Sequence, residues 1–283
     1  MSKQRFLQTT LAVAAGLCAA AGVGLAQEAK EPTVEEIVSK TNRVAYYQGG
    51  DGRAQVQMTI VDAKGQKRSR EMTILRRDEP DPAKKDAKGD EHCGDQKYYV
   101  YFHLPADVNK MAFLVHKKVK GEDERYLYLP ALDLVKRISS ADKRTSFVGS
   151  HFFYEDVSGR NINDDKHELD KEKTSKTYYV LKNTPKDPKS VEFAYYEMWI
   201  HRATFMVIQT VYYDKEGKKY RQYQAVGVKQ IDGYWTVTKS KMADLRDGSH
   251  TLLEYSEVKY NLGLPDDIFT ERYLKNPPAK YLK

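Results

Sequence analysis

The chain has 283 residues, of which 40% are hydrophobic and 31% charged, with a formal net charge of +7. This is the composition of a globular protein, and the length fits one all-β domain as well as two smaller ones. Lysines and acids are interspersed without a basic stripe, which argues against nucleic acid as a partner.

The N-terminus reads as an export signal. Lys3 and Arg5 precede an uncharged stretch rich in Leu, Ala and Val, and Gly24-Leu25-Ala26 places small residues at −3 and −1 of a cleavage site after Ala26. The apolar run is short and Ala-rich for a spanning helix, which needs about 20 strongly apolar residues. Leu17 stands before Cys18, where a lipidation signal needs a small residue. Residues 1–26 are therefore expected to be removed, leaving 27–283 as a single domain. Loss of Lys3 and Arg5 lowers the net charge from +7 to +5, an excess that favours anionic surfaces such as lipid headgroups. Cys93 then remains as a lone cysteine with no internal disulfide.

Thr33 and Glu36 form a capping box, and Val34, Ile37, Val38 and Thr41 share a face, predicting a helix to about Arg43. Ala54, Val56, Met58 and Ile60 alternate with polar residues, the period of a strand. Asp62-Ala63-Lys64-Gly65 is a hairpin loop, and 71–76 is the returning strand. Residues 78–96 are Pro, Lys, Asp and Gly with hardly an apolar side chain, which predicts a solvated insertion. His92 and Cys93 within it match no structural zinc spacing.

Strands are expected at 97–104, 111–119, 125–129 and, after Pro130, at 135–138. Residues 161–176 are highly charged and read as exposed chain. The C-terminal half is an antiparallel meander, with strands near 178–182, 194–201, 204–213, 219–230, 234–245 and 250–261. Asp232-Gly233 and Asp247-Gly248 supply tight-turn chemistry. A short helix follows Pro265. About eleven strands at 8- to 12-residue spacing predict a sheet that must curl or close.

One stretch stands apart. Between Phe147 and Tyr154, four aromatics (Phe147, Phe152, Phe153, Tyr154) surround a Gly-Ser pair. Loops lie on the surface, so a connection this apolar either plugs a core or faces an apolar ligand.

Several motifs carry a resemblance. They are Leu127-Tyr128-Leu129-Pro130-Ala131, Lys136-Arg137-Ile138, residues 146–152 with Tyr154-Glu155-Asp156, Met198-Trp199-Ile200, Ile231-Asp232-Gly233-Tyr234-Trp235 and residues 264–270. In that order they resemble the outer membrane lipoprotein-sorting protein family of LolA/LolB-like folds, from about Thr33 to the C-terminus. The resemblance implies a mainly β fold, a curved antiparallel sheet forming an incomplete barrel with helices closing its open side. It implies a periplasmic carrier with an apolar cavity for lipid or acylated lipoprotein cargo. An RND-type inner-membrane transporter is the implied partner, with an outer-membrane acceptor beyond it. His151 departs from the pattern, where the family has Asp, and the 78–96 insertion is longer than the family needs.

Leu129, Phe147, Phe152, Phe153, Tyr154 and Trp199 are the candidate cavity or lid residues. Trp199 alternates with Met198 and Ile200 along one strand, so the two sets face opposite sides. No catalytic residue, metal ligand or cofactor is expected. The seven histidines form no H-x-x-x-H pair, and no G-x-S-x-G elbow is present. Ser150 and His151 are neighbours whose side chains diverge on extended backbone. Glu155 and Asp156 read as loop caps or as partners of Lys136 and Arg137. The rival functions are a periplasmic interaction or sensor module holding a protein or peptide, and, further off, a hydrolase using Ser150 or Glu155.

Overall fold

The computed structural model describes residues 30–79 and 94–283. The expected export signal at 1–26 and most of the expected 78–96 insertion, with His92 and Cys93, lie outside the described residues. Thr33–Lys283 form one compact unit.

Helix α1 (Val34–Tyr46) starts as its sequence dictates. The Glu36 N–H donates to Thr33 Oγ1 at 3.2 Å, and the Thr33 N–H donates to Glu36 Oε2 at 2.7 Å. The helix runs three residues past Arg43. Its end is held by the Arg76 guanidinium, which donates to the carbonyls of Tyr46, Gln48 and Gly49, a cation at the negative end of the helix dipole. Ile37 and Val38 pack on Tyr179, Leu181 and Ile200.

Thirteen strands make one antiparallel sheet. The first half comprises β1 (Asp51–Val61), β2 (Lys67–Asp78), β3 (Gln96–Leu104), β4 (Ala112–Lys117), β5 (Glu124–Leu129) and β6 (Leu134–Arg137). The second comprises β7 (Asp165–Leu169), β8 (Tyr178–Pro185), β9 (Tyr195–His201), β10 (Val207–Tyr213), β11 (Lys219–Ile231), β12 (Tyr234–Asp244) and β13 (His250–Tyr260). Each half is a meander of sequential hairpins, and the pairing of β1 with β13 welds them together. Strands β6 and β7 are the two free edges, so the sheet is not closed into a barrel. Residues 138–164 run from one edge to the other. They contain the aromatic stretch and a short helix, α2 (Tyr154–Ser158), that the sequence pattern did not announce.

Of the thirteen strands, β7 alone falls in none of the ranges expected from sequence. Strand β7 hides in the charged 161–176 stretch because its buried positions are polar: Asp165 is buried and its acceptors are filled by Arg160. At an edge, charge of this kind also discourages pairing with a second chain.

The sheet presents an inward cluster that includes Met58, Val100, Phe102, Phe113 and Leu253. On the opposite face of β2–β4, Leu75, Tyr99 and Leu114 are covered by the C-terminal segment through Leu264, Phe269 and Leu274. Leu274 lies in α3 (Arg272–Lys275). Burial on both faces explains why β4 shows no alternation. No helix among the described residues is long and apolar enough to cross a membrane.

Gly159 closes α2 at φ 78°, ψ 153°, a conformation costly to any side chain. A Cβ there would lie 2.3 Å from Cζ of Tyr46. Backbone strain and overpacking each cost about 1–3 kcal/mol. Gly159→Ala should therefore lower the urea midpoint clearly, and an unchanged midpoint would mean that Tyr46 is free to move.

Candidate functional cavity

The inward face of the sheet, helix α1 and the 138–164 crossing line a half-open cavity of about 440 Å³, within the ~300–1,000 Å³ typical of small-molecule sites. Its chemistry is mixed. Met58, Met72, Val100, Phe147, Phe152 and Leu253 supply apolar wall, whereas α1 and the second half of the sheet supply tyrosines. Five of the chain's seven methionines (Met58, Met72, Met198, Met206, Met242) line it. Methionine is flexible and polarizable, so such a wall adapts to the shape of its contents. Seven tyrosines line it as well, Tyr46, Tyr212 and Tyr255 among them.

The crossing segment is pinned, not loose. Phe147 is buried, with its ring 5.3 Å from Phe113, 5.8 Å from Phe102 and 5.5 Å from Tyr154. Phe153 sits between two guanidinium groups, 4.8 Å from Arg144 and 4.1 Å from Arg221. Arg144 also donates to Glu155 at 2.9 Å and to Glu192. Arg221 donates to the His151 carbonyl at 3.0 Å and to Asp156 Oδ2. Glu155, 2% exposed, lies among Arg144 at 2.9 Å, Lys143 at 3.1 Å and Arg160 at 3.4 Å. Burial alone would raise its carboxyl, but the three cations outweigh burial and hold it below the usual range. Lys136 and Arg137, the partners expected from sequence, make no ion pair with Glu155 or Asp156. They lie exposed on the edge strand β6. Asp156 does cap the loop, accepting the Phe153 N–H at 2.7 Å.

His151 fastens the same segment to β13. Its N–H donates to Thr251 Oγ1 at 3.0 Å, its Nδ1 lies 2.8 Å from that oxygen, and its Nε2 lies 2.7 Å from Ser249 Oγ. The Ser249 hydroxyl in turn donates to Asp247 Oδ1 at 2.6 Å. With the Ser249 proton committed, Nε2 donates and Nδ1 accepts from Thr251, which is the neutral ring. Burial lowers the His151 pKa from its ordinary value, with Asp244 and Asp247 opposing. The unfolded ring titrates near about 6.5, so this contribution to stability is complete above that pH and is lost as pH falls through the lower folded value. His151→Gln should flatten the pH dependence of urea stability between about pH 7.5 and 5. An unchanged slope would show that the clamp does not titrate.

The six candidates from sequence separate into groups. Phe147 and Phe152 line the cavity. Tyr154 and Leu129 pack in the inward cluster without lining it. Phe153 is held between the two arginines. Trp199 is half-buried and is not in the lining, whereas its strand neighbours Met198 and Tyr196 are, so the strand's alternation puts Trp199 on the other face. The sequence reading missed Thr41 and Tyr46 on α1 and the methionines. The one signal for them was that Met58 and Met72 fall on the inward parity of their strands. Ser150 is buried, donating to the Phe152 carbonyl at 3.3 Å, and is not bonded to His151. Among the described residues no three His, Cys, Asp or Glu side chains gather as a metal site.

A family model described as an uncharacterized protein matches residues 94–276. A putative outer membrane lipoprotein-sorting protein domain from Vibrio parahaemolyticus is similar at 29% identity, over 85% of this chain and 97% of that one, with a TM-score of 0.73. A DUF1329 family protein from Desulfovibrio piger is similar at 26% identity, over 85% and 98%, with a TM-score of 0.72. A LolA superfamily protein from Nitrosomonas europaea shares the fold at 20% identity, over 86% and 100%, with a TM-score of 0.64. No curated protein matches. The chain belongs to the family of that model, and its fold is that of the LolA-like, outer membrane lipoprotein-sorting proteins.

Proposed function

We propose that the protein is a periplasmic, non-enzymatic carrier that shelters an apolar or acylated molecule in this cavity. In this reading residues 1–26 direct export, an RND-type inner-membrane transporter is the partner, and an outer-membrane acceptor takes the cargo. The cavity between sheet, α1 and crossing segment carries the proposal, and the likeness to a lipoprotein-sorting domain supports it.

An acyl chain of about fifteen methylene groups sets a scale. At ~0.8 kcal/mol per methylene, a chain of that length gains roughly 12 kcal/mol on leaving water. A mixed wall captures less than this, which keeps transfer reversible.

The test uses the uncharged fluorescent probe N-phenyl-1-naphthylamine with the full mature chain. One probe per chain should bind with a blue-shifted emission, and Ala54→Phe, which fills the cavity from β1, should abolish binding while the fold is kept. A probe that never binds, or that binds Ala54→Phe equally well, contradicts the carrier reading.

A further inference from the structure

Arg70 is a buried charge with no counter-charge inside the fold. It lies on β2 directly across from Met58 and two residues before Met72, so it shares their inward face. Both methionines belong to the cavity wall, and Arg70 is the next position on that face toward the β1–β2 hairpin. The residue is 8% exposed, and its Nε and Nη1 are sealed from solvent with no hydrogen-bond partner. Among the described residues no carboxylate forms an ion pair with it and no aromatic ring stacks on it. The other buried arginines are matched, Arg125 by Asp123 and Arg221 by Asp156.

We propose that Arg70, backed by Arg68, forms an oxyanion site beside the Gly149 turn, and that this site takes a phosphate group, free or carried on a lipid head. The site is separate from the cavity's carrier role and does not depend on it.

A guanidinium buried without a counter-charge is strongly unfavourable. Burial lowers the Arg70 pKa, with Asp107 opposing and Arg68 adding to the fall. Asp107 is exposed and makes no ion pair with Arg70, so an external anion is the group that would complete the charge. The approach is from the Gly149 side. Nη2 is not among the sealed nitrogens, and a Cβ added to Gly149 would lie 3.8 Å from it. Gly149 is itself exposed, so an anion can reach that nitrogen without crossing the core, and the missing side chain leaves the approach open. The turn is held in place, because the next residue but one, His151, is fastened to β13. Arg68 lies two residues before Arg70 on the same face, opposite Ile60, and is exposed and without an ion pair. Two guanidinium groups on one strand face suit a phosphate, whose several oxygens and higher charge can engage both, better than a carboxylate, which one fork satisfies.

Urea unfolding of the full chain tests this at about pH 8, where phosphate carries close to two charges. Inorganic phosphate is added to about 10 mM at fixed ionic strength, a level at which its general salting effect is small. The midpoint should rise with the logarithm of phosphate concentration. Arg70→Met, which continues the wall of Met58 and Met72, should keep or raise the midpoint without phosphate and lose the response. Arg70→Lys, which keeps the charge without the fork, and Arg68→Gln should each weaken the apparent affinity several-fold. The lipid-borne source is read by displacement of N-phenyl-1-naphthylamine, where dodecyl phosphate should outcompete dodecanol in the unmodified chain and not in Arg70→Met. A response to inorganic phosphate alone assigns the site to the free anion, and a response to dodecyl phosphate alone assigns it to a lipid head; either supports the proposal. A phosphate response that Arg70→Met retains, or no Arg70-dependent response to either ligand, overturns it. A large fall in the midpoint of Arg70→Met without phosphate also overturns it, because the guanidinium would then have a partner within the fold. Failure of the probe to bind overturns the carrier reading alone and leaves the phosphate titration to decide.

Discussion

Glu155→Gln should destabilise the fold by about 3–5 kcal/mol, the usual cost of removing one partner from a buried ionic cluster. The carboxylate is 2% exposed and answers three cations from two segments, Lys143 and Arg144 before the aromatic stretch and Arg160 after α2. Glutamine keeps the shape but removes the one carboxylate the three cations share, leaving Arg144 to Glu192 and Arg160 to Asp165. The loss should depend on pH in a defined direction. The folded carboxyl sits below its ordinary value, so its contribution is present above the unfolded pKa of about 4.3 and is lost as pH falls through the folded value. Urea unfolding at pH 7 should separate the two proteins widely, and unfolding in stronger acid should bring them together. A loss below about 1 kcal/mol at pH 7 would mean that water, not Glu155, neutralises the three cations.

Phe147→Ala is the second large effect, at about 3–5 kcal/mol for a buried phenylalanine. The ring is 3% exposed and wedged among Phe102, Phe113 and Tyr154. It also forms part of the cavity wall, so truncation joins a new void to an existing one. Chemical denaturation distinguishes a wall from a lid. A ring that swings away for cargo would cost little to truncate, whereas a fixed wall costs the full amount. The two anchors that follow it, His151 bonded to β13 and Phe153 between Arg144 and Arg221, predict the fixed wall. Cargo then enters by movement elsewhere or by adjustment of the methionines.

Local rules explain what could be read ahead of the structure. The Thr33–Glu36 box, the Asp-Gly turns and the alternation from Ala54 to Ile60 are short-range signals, and each element they announce is present. Strand β7 was hidden because Asp165 and His167 occupy inward positions that apolar residues fill elsewhere. Helix α2 has five residues and no apolar periodicity. The partners of Glu155 and His151 were beyond reach for a different reason. Thr251 is 100 residues from His151 in the chain, and only the pairing of the strands brings them together. Alternation along β9 separated Trp199 from Met198, but which of them faced the cavity depended on the curvature of the whole sheet.

The central claim is that the cavity holds cargo. Native mass spectrometry of the chain, purified gently from its own host, tests it most directly. A mass excess of one small amphiphile per chain is expected, lost in Ala54→Phe. A chain that carries no small molecule, or that retains the same adduct when the cavity is filled, would contradict it.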